Sequence, residues 1–141
     1  MYKTILVPVD PSHGEVARHI LTVARHLAGA EGWITVLSVI EPVPAYVASQ
    51  IPEDVLAENR DAAKARVEEL ANGAGLKGHV VLREGSPAVE ILAEAEKMDA
   101  DAIILGSHRP DYTDYFLGST AARVVRHARC TVVVERSAVT P

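Results

Sequence analysis

The residues best suited to chemistry lie in one polar segment, residues 106–120, which reads GSHRPDYTDYFLGST and follows an apolar run. Gly106 leaves that run, and Gly118, Ser119 and Thr120 open the next helical segment. Backbone N–H groups, the positive end of a helix and two hydroxyls could converge there on an anion, as they do in phosphate-binding loops. A long connection with routine helix capping explains the same residues, so the pattern leaves both interpretations open.

An acidic residue, Asp10, ends the first apolar run of the chain, in the segment Val7-Pro8-Val9-Asp10. Parallel strands bring their carboxyl ends to one edge of a sheet. Asp10 and Gly106 therefore share an edge if the first and fourth strands are neighbours, as doubly wound sheets usually make them. A carboxylate at that edge could bind a ribose hydroxyl or a divalent cation that bridges phosphates. A plain acidic residue at a helix entry is the alternative.

The sequence contains none of the common catalytic patterns. It has no Gly-Lys-Ser/Thr of a Walker A loop, no Gly-x-Ser-x-Gly elbow and no His-Glu-x-x-His. His108 is the one candidate general base in the polar segment, although a lone histidine in such a loop is more often a hydrogen-bonding spacer. The other five histidines have no metal-ligand spacing. The residues therefore favour a binding protein over an enzyme.

Composition restricts the partners and the compartment. The 141 residues, 48% of them hydrophobic, suit one domain, and the net charge of −5 has the wrong sign for attraction to nucleic acid or anionic lipid. Cys130 is the single cysteine, so no internal disulfide can form, as is usual in a reducing compartment. No apolar run has the length of a signal peptide or a membrane helix. We expect a cytoplasmic protein whose partners are neither nucleic acid nor membrane.

Apolar periodicity predicts the elements that position these residues. Almost continuous apolar or β-branched runs, typical of strands buried on both faces, occupy residues 4–9, 33–40, 102–105 and 131–134, and more weakly 79–83. Segments with helical period alternate with them: residues 13–28 behind a Ser12-x-x-Glu15 capping box, 52–72, 87–98 behind Ser86, and 119–128. Residues 41–51 read as an irregular loop. Strict alternation predicts a single α/β domain over residues 1–141, with a doubly wound, five-stranded parallel sheet covered by helices on both faces.

Several motifs, in order along nearly the whole chain, resemble the universal stress proteins. They are YKTILVPVD at residues 2–10, LSVI at 37–40, EGSP at 84–87, GSH at 106–108, and LGS at 117–119 leading to VVRHARCTVVV at 124–134. The last of these is the most specific.

That resemblance implies a Rossmann-like, adenine-nucleotide-binding domain with strand order 3-2-1-4-5, which forms homodimers through the last strand, from Thr131 to Val134. It implies a regulatory protein of the stress response that binds ATP with Mg²⁺. Because the catalytic patterns are missing, we expect any hydrolysis of ATP to be slow. The residues that match the family's site are Pro8, Val9 and Asp10 around the ribose and phosphates, Val39 at the adenine, Leu105 and Gly106 at the start of the phosphate loop, and Gly118, Ser119 and Thr120 at the distal phosphates. Asp10 is also the candidate metal ligand, and His108 and Arg109 are candidate binding residues in the loop that follows Gly106.

Two features depart from the family's phosphate-loop pattern, G-x2-G-x9-G-[ST]. Arg109 stands at the second glycine, and the spacer 110–117 has eight residues rather than nine. If a positive φ or a close approach requires that glycine, arginine costs about 1 kcal/mol of strain or blocks the phosphates. Alternatively, its guanidinium replaces the lost backbone contacts with a charge-assisted pair to a phosphate. The intact strand-end and Gly-Ser elements favour retained ATP binding.

Two other functions are compatible with the same residues. One is a dimeric interaction module of this fold that has lost nucleotide binding and acts through the edge run at residues 131–134. The other is a flavodoxin-like, flavin-binding domain. Tyr112, Tyr115 and Phe116 could cover a nucleotide, contact a second subunit or pack over the sheet edge.

Overall fold

A computed structural model describes residues 2–76, 78–107 and 118–136. The strands are β1 (Thr4–Pro8), β2 (Trp33–Ile40), β3 (Gly78–Glu84), β4 (Ala102–Ser107) and β5 (Thr131–Arg136). The helices are α1 (Gly14–Ala28), α2 (Ala45–Ala48), α3 (Glu53–Gly73), α4 (Pro87–Lys97) and α5 (Ser119–His127). The predicted alternation of strands and helices is confirmed. The segment expected to be irregular, residues 41–51, contains the short helix α2, in which no residue is buried.

The strands form one parallel, five-stranded sheet in the order β3-β2-β1-β4-β5, which confirms the predicted doubly wound fold. β1 lies at the centre, and its Ile5, Leu6 and Val7 are fully buried. β4 and β5 continue two residues beyond their predicted ends, because Gly106 pairs with Glu135 and Ser107 with Arg136. Backbone pairing does not require apolar side chains, so an apolar pattern cannot mark where it stops.

Each face of the sheet carries its own core. Ile5, Val7 and Ile104 pack on one face with residues of α1 and with Val67 of α3. Leu6 and Ile103 pack on the other with residues of α4 and α5. Successive strand residues point to opposite faces, so a strand covered on both faces must be apolar at every position. That requirement explains the continuous apolar runs.

The predicted capping box at the start of α1 is wrong. His13 occupies the N-cap of α1 and no side chain caps the helix. The hydroxyl of Ser12 instead donates to Oδ1 of Asp10, at 2.6 Å. Ser12 therefore belongs to an Asx-type turn before the helix and does not cap it. Ser86 does take the N-cap of α4 and Pro87 follows at its first turn, but the serine side chain makes no capping bond.

A cluster of three charged residues joins the edge strand β3 to α4. The guanidinium of Arg83 donates to Glu90 through Nε, at 2.8 Å, and to Glu94 through Nη1, at 2.9 Å. Glu94 is buried, and both hydrogen bonds raise the pKa of Arg83. The periodicity of the sequence did not predict this cluster, because it joins a strand and a helix through their tertiary packing.

Candidate functional site

A cleft of about 770 Å³ lies at the carboxyl edge of the sheet. The connections that leave β1 and β4, which are neighbours, lead to opposite faces, because α1 packs on one core and α5 on the other. Doubly wound proteins bind ligands in the crevice that this divergence opens. The size of the cleft suits a small molecule such as a nucleotide.

Most of the predicted site residues adjoin this cleft. Those that line it are Pro8, Val9, Asp10, Val39, Leu105, Gly106 and Thr120. Gly118 is the N-cap of α5 and Ser119 its first residue, immediately before Thr120. His108 and Arg109, together with the aromatic residues Tyr112, Tyr115 and Phe116, lie outside the described residues.

Asp10 is held in a fixed orientation by its neighbours. Oδ1 accepts hydrogen bonds from the backbone N–H of Ser12, at 2.9 Å, and from its hydroxyl. Oδ2 lies 3.1 Å from Nδ1 of His13. Partial burial raises the pKa of Asp10, but the hydrogen bonds of Ser12 and His13 outweigh that effect and hold the pKa below its usual value. The result is an ionised, oriented carboxylate whose side chain is still 57% exposed.

Gly106 has a structural role that the sequence did not indicate. A Cβ at this position would lie 2.7 Å from Cγ1 of Val16 and 3.2 Å from Cγ2 of Ile20. The missing side chain therefore lets α1 approach β4 closely. Gly106 lines the cleft, and the packing of α1 is by itself sufficient reason for the glycine.

Packing within the described residues does not explain the glycine at position 118. A Cβ there would meet no described atom within 4 Å, and its backbone, with φ of −58° and ψ of 154°, suits any residue. Ala122 makes the first intrahelical bond of α5, to the carbonyl of Gly118, so three N–H groups before it have no intrahelical partner. Those donors lie at the start of α5, where the helix dipole also favours an anion.

The sequence did not point to several residues of the cleft. Ser38, a buried hydroxyl near the end of β2, lines the cleft, as do Ala63 and Arg66 of α3. Ser38 is the only serine in the apolar run of residues 33–40, and this isolated polar residue could have marked it as a candidate site residue. Arg66 precedes the buried Val67, but only the packing of α3 against the sheet decides that it reaches the cleft.

The carboxylate of Asp10 suits a cation that is shared with a ligand. The described residues contain no cluster of three His, Cys, Asp or Glu side chains that could hold a metal ion. Mg²⁺ bound to nucleotides commonly takes one or two carboxylates together with phosphate oxygens and water. Asp10 has acceptor capacity left beyond the bonds from Ser12 and His13, so a single carboxylate can serve in that way.

The family model described as the universal stress protein family matches residues 1–136. This chain belongs to that family. One relative, the universal stress protein MJ0531 of Methanocaldococcus jannaschii, is 33% identical over 140 residues, covering 95% of this chain and 82% of the relative.

Solved structures of universal stress proteins and similar chains have the same fold. The hypothetical protein MJ0577 superposes with a TM-score of 0.79 at 25% identity, and the match covers 99% of both chains. A universal stress protein from Archaeoglobus fulgidus, solved in complex with dAMP, superposes with a TM-score of 0.66 at 22% identity, covering 94% of this chain and 97% of that one. The fold of the family and the sheet order 3-2-1-4-5 are thus the fold of this chain. Among the described residues, no helix is long and apolar enough to cross a membrane.

Proposed function

We propose that this universal stress protein binds ATP in the cleft between β1 and β4 and acts as a cytoplasmic, homodimeric regulator of the stress response. The observation that carries the proposal is that an oriented Asp10 carboxylate and the start of α5 adjoin one cleft at the switch point of the sheet. The dAMP complex of the Archaeoglobus fulgidus protein supports it, because a protein of this fold takes an adenine nucleotide. Bound ATP would act by changing the surface that partner proteins meet.

In the proposed pose the adenine lies beside Val39, the ribose hydroxyls donate to Asp10, and the phosphates lie against the start of α5. A carboxylate that is ionised and already oriented accepts a hydroxyl hydrogen bond without reorganisation. The N–H groups that have no intrahelical partner at Ser119 and Thr120 suit phosphate oxygens. Mg²⁺, held by Asp10 and the phosphates, would neutralise part of the phosphate charge.

Gly118 supports this placement of the phosphates. Neither its backbone conformation nor the described residues around it require a glycine. A phosphate that approaches the backbone closely would require one, because a Cβ would then occupy the place of the ligand. His108 and Arg109 are proposed to contribute to the same phosphate group from the connection between β4 and α5.

The first test is calorimetric titration of ATP with Mg²⁺ into protein freed of co-purified nucleotide. We expect micromolar or tighter binding to the parent chain. Ser119→Ala removes one hydroxyl bond to a charged group, worth about 1.5 kcal/mol, which corresponds to about a tenfold loss of affinity. Ser49→Ala, which replaces a serine of the segment after β2, is the matched control and should leave the affinity unchanged.

Gly118→Val is a second test of the proposed phosphate position. Its side chain meets open space among the described residues, so the thermal midpoint of the free protein should stay close to that of the parent. ATP binding should fall strongly, since the branched side chain occupies the proposed phosphate position. Absence of any heat and any thermal shift with ATP on the parent chain would reject nucleotide binding and leave the dimeric interaction module.

The homodimer is proposed from the exposed edge of the sheet. β5 is the outermost strand beside β4, and Val132, Val133 and Val134 are only half-buried. No described strand pairs with this side of β5, so a second copy paired along this edge would cover the backbone and the side chains of the three valines. This interface is compatible with either function, the ATP-binding regulator or the interaction module.

Light scattering after size-exclusion chromatography tests the dimer. Val134→Lys places a charge at the edge and should convert the dimer to a monomer. Val89→Lys, at an exposed valine of α4 on another surface, should leave the mass unchanged. A parent chain of monomeric mass at micromolar concentration would count against this interface.

A further inference from the structure

A second cavity adjoins the cleft and is lined mainly by residues of α1 and α3. It has a volume of about 490 Å³ and shares Pro11 and Arg66 with the larger cleft. Gly14 of α1 and Gly73 of α3, both in its lining, keep the two helices from filling it with side chains. We call this cavity the α1–α3 groove. Because it adjoins the cleft, one ligand can occupy both.

The α1–α3 groove carries two arginines that have no partner among the described residues. Arg18 and Arg66 both line it and are both exposed, and neither makes an ion pair with any described carboxylate. The guanidinium of Arg18 lies over the first turn of α1, since its Nη1 is 3.4 Å from the position of a Cβ on Gly14. Glu69 is the one acidic residue in the described lining. The groove is thus a positively charged extension of the cleft.

The groove begins beside the residue that is proposed to bind the ribose. Pro11 follows Asp10 directly and lines both cavities. In the proposed pose one ribose hydroxyl still donates to Asp10, and a phosphate on the other ribose oxygen would point past Pro11 toward Arg18 and Arg66. The two guanidinium groups would offset the repulsion between that phosphate and the Asp10 carboxylate. In the same pose the 5′-phosphates would lie at the start of α5, which packs on the opposite face of the sheet from α1, and would leave the groove free.

We propose that the α1–α3 groove binds a second phosphate, carried on the ribose of an adenine nucleotide, through Arg18 and Arg66. Guanidinium groups suit this role because they bind phosphate oxygens in a bidentate manner and stay charged at every relevant pH. The inference rests on the proposed function for the positions of the base and ribose. It extends that function by naming the ligand class: adenine nucleotides phosphorylated at the 2′ or 3′ position.

The experiment compares AMP, adenosine 2′,5′-bisphosphate and adenosine 3′,5′-bisphosphate by calorimetric titration. We expect one of the bisphosphates to bind at least about tenfold more tightly than AMP, the equivalent of one charged hydrogen-bonding contact. Which bisphosphate gains affinity identifies the ribose oxygen that faces the groove. Inorganic phosphate, titrated alone, should bind far more weakly than either bisphosphate, because it lacks the base and the ribose.

Variants of the groove decide whether its arginines carry the gain. Arg18→Ala alters the groove and no residue of the larger cleft, so it should reduce the advantage of the bisphosphate at least about threefold and leave AMP affinity within about twofold of the parent. Glu69→Gln should act in the opposite direction and tighten only the bisphosphate, because it removes the carboxylate of the groove. Arg126→Ala, an exposed arginine in the last turn of α5, is the matched control and should change neither.

The outcomes separate this inference from the function on which it rests. If AMP and ATP bind but neither bisphosphate binds more tightly, the groove is not a phosphate subsite and the proposed function stands. If the arginine variant weakens AMP as much as the bisphosphate, the arginines contact a group that AMP already has, and the inference is rejected. If no adenine nucleotide binds, the proposed function fails and the inference fails with it.

Discussion

Replacing Gly106 by alanine places a Cβ against α1, 2.7 Å from Cγ1 of Val16 and 3.2 Å from Cγ2 of Ile20. Both separations are shorter than an ordinary contact of about 3.5–4.0 Å between carbon atoms, so α1 must move outward. Overpacking of this kind costs about 1–3 kcal/mol. The lower entropy of the unfolded chain returns about 0.4–1 kcal/mol for a glycine-to-alanine change. We expect a net loss of about 1–2 kcal/mol in the free energy of unfolding.

Urea unfolding followed by circular dichroism measures this loss. Gly118→Ala is the matched control, because its Cβ meets no described atom, and its free energy of unfolding should stay within about 0.5 kcal/mol of the parent. Val16→Ala removes the closest methyl, so the double variant with Gly106→Ala should be more stable than the sum of the two single effects predicts. If Gly106→Ala is as stable as the parent, or if Val16→Ala gives no such coupling, the close packing of α1 on β4 is not the reason for the glycine.

Two further predictions concern charged groups. Because the pKa of Asp10 lies below its usual value of 3.8, its hydrogen bonds stabilise the fold above that pH, and this contribution is lost as pH falls through the lowered pKa. Asp10→Asn should therefore flatten the acid limb of the stability curve, as measured by urea unfolding at a series of pH values from 5 downward; an unchanged acid limb would contradict the assignment. Arg83→Ala leaves the buried Glu94 without its cation and should cost about 3 kcal/mol in urea unfolding at neutral pH. Glu94→Gln in the Arg83→Ala background should recover part of that loss, and no recovery would mean that the buried charge is not its cause.

Much of the fold could be predicted because its cause is local to each segment. β1 lies between two helical layers, so Ile5, Leu6 and Val7 are all apolar, and a run of that kind predicts a buried parallel strand. The edge strand β3 gave a weaker pattern because the polar residues His79 and Arg83 stand near its two ends, where partial exposure tolerates them. Alternation of such runs with helical periods was enough to predict a doubly wound sheet.

The candidate site could be predicted only in part. Pro8, Val9 and Asp10 end β1, and Leu105 and Gly106 lie near the end of β4, so their meeting at one edge follows from a parallel sheet in which these strands are neighbours. The partner of Ser12 was predicted wrongly, since a serine before a helix can bond to the helix or to a nearby aspartate and the sequence pattern fits both.

The sequence by itself determined the type and order of the strands and helices. A strand buried on both faces requires a continuous apolar run, and a helix buried along one stripe requires apolar residues at helical spacing. Only the tertiary structure decided which side chains meet between elements. Examples are Gly106 against Val16, Arg83 with Glu94, and the presence of Arg18 and Arg66 in the lining of one groove. These arrangements depend on how the helices and strands pack together, which the apolar periodicity of a single segment does not encode. The charge of the groove therefore follows only from the placement of α1 beside α3.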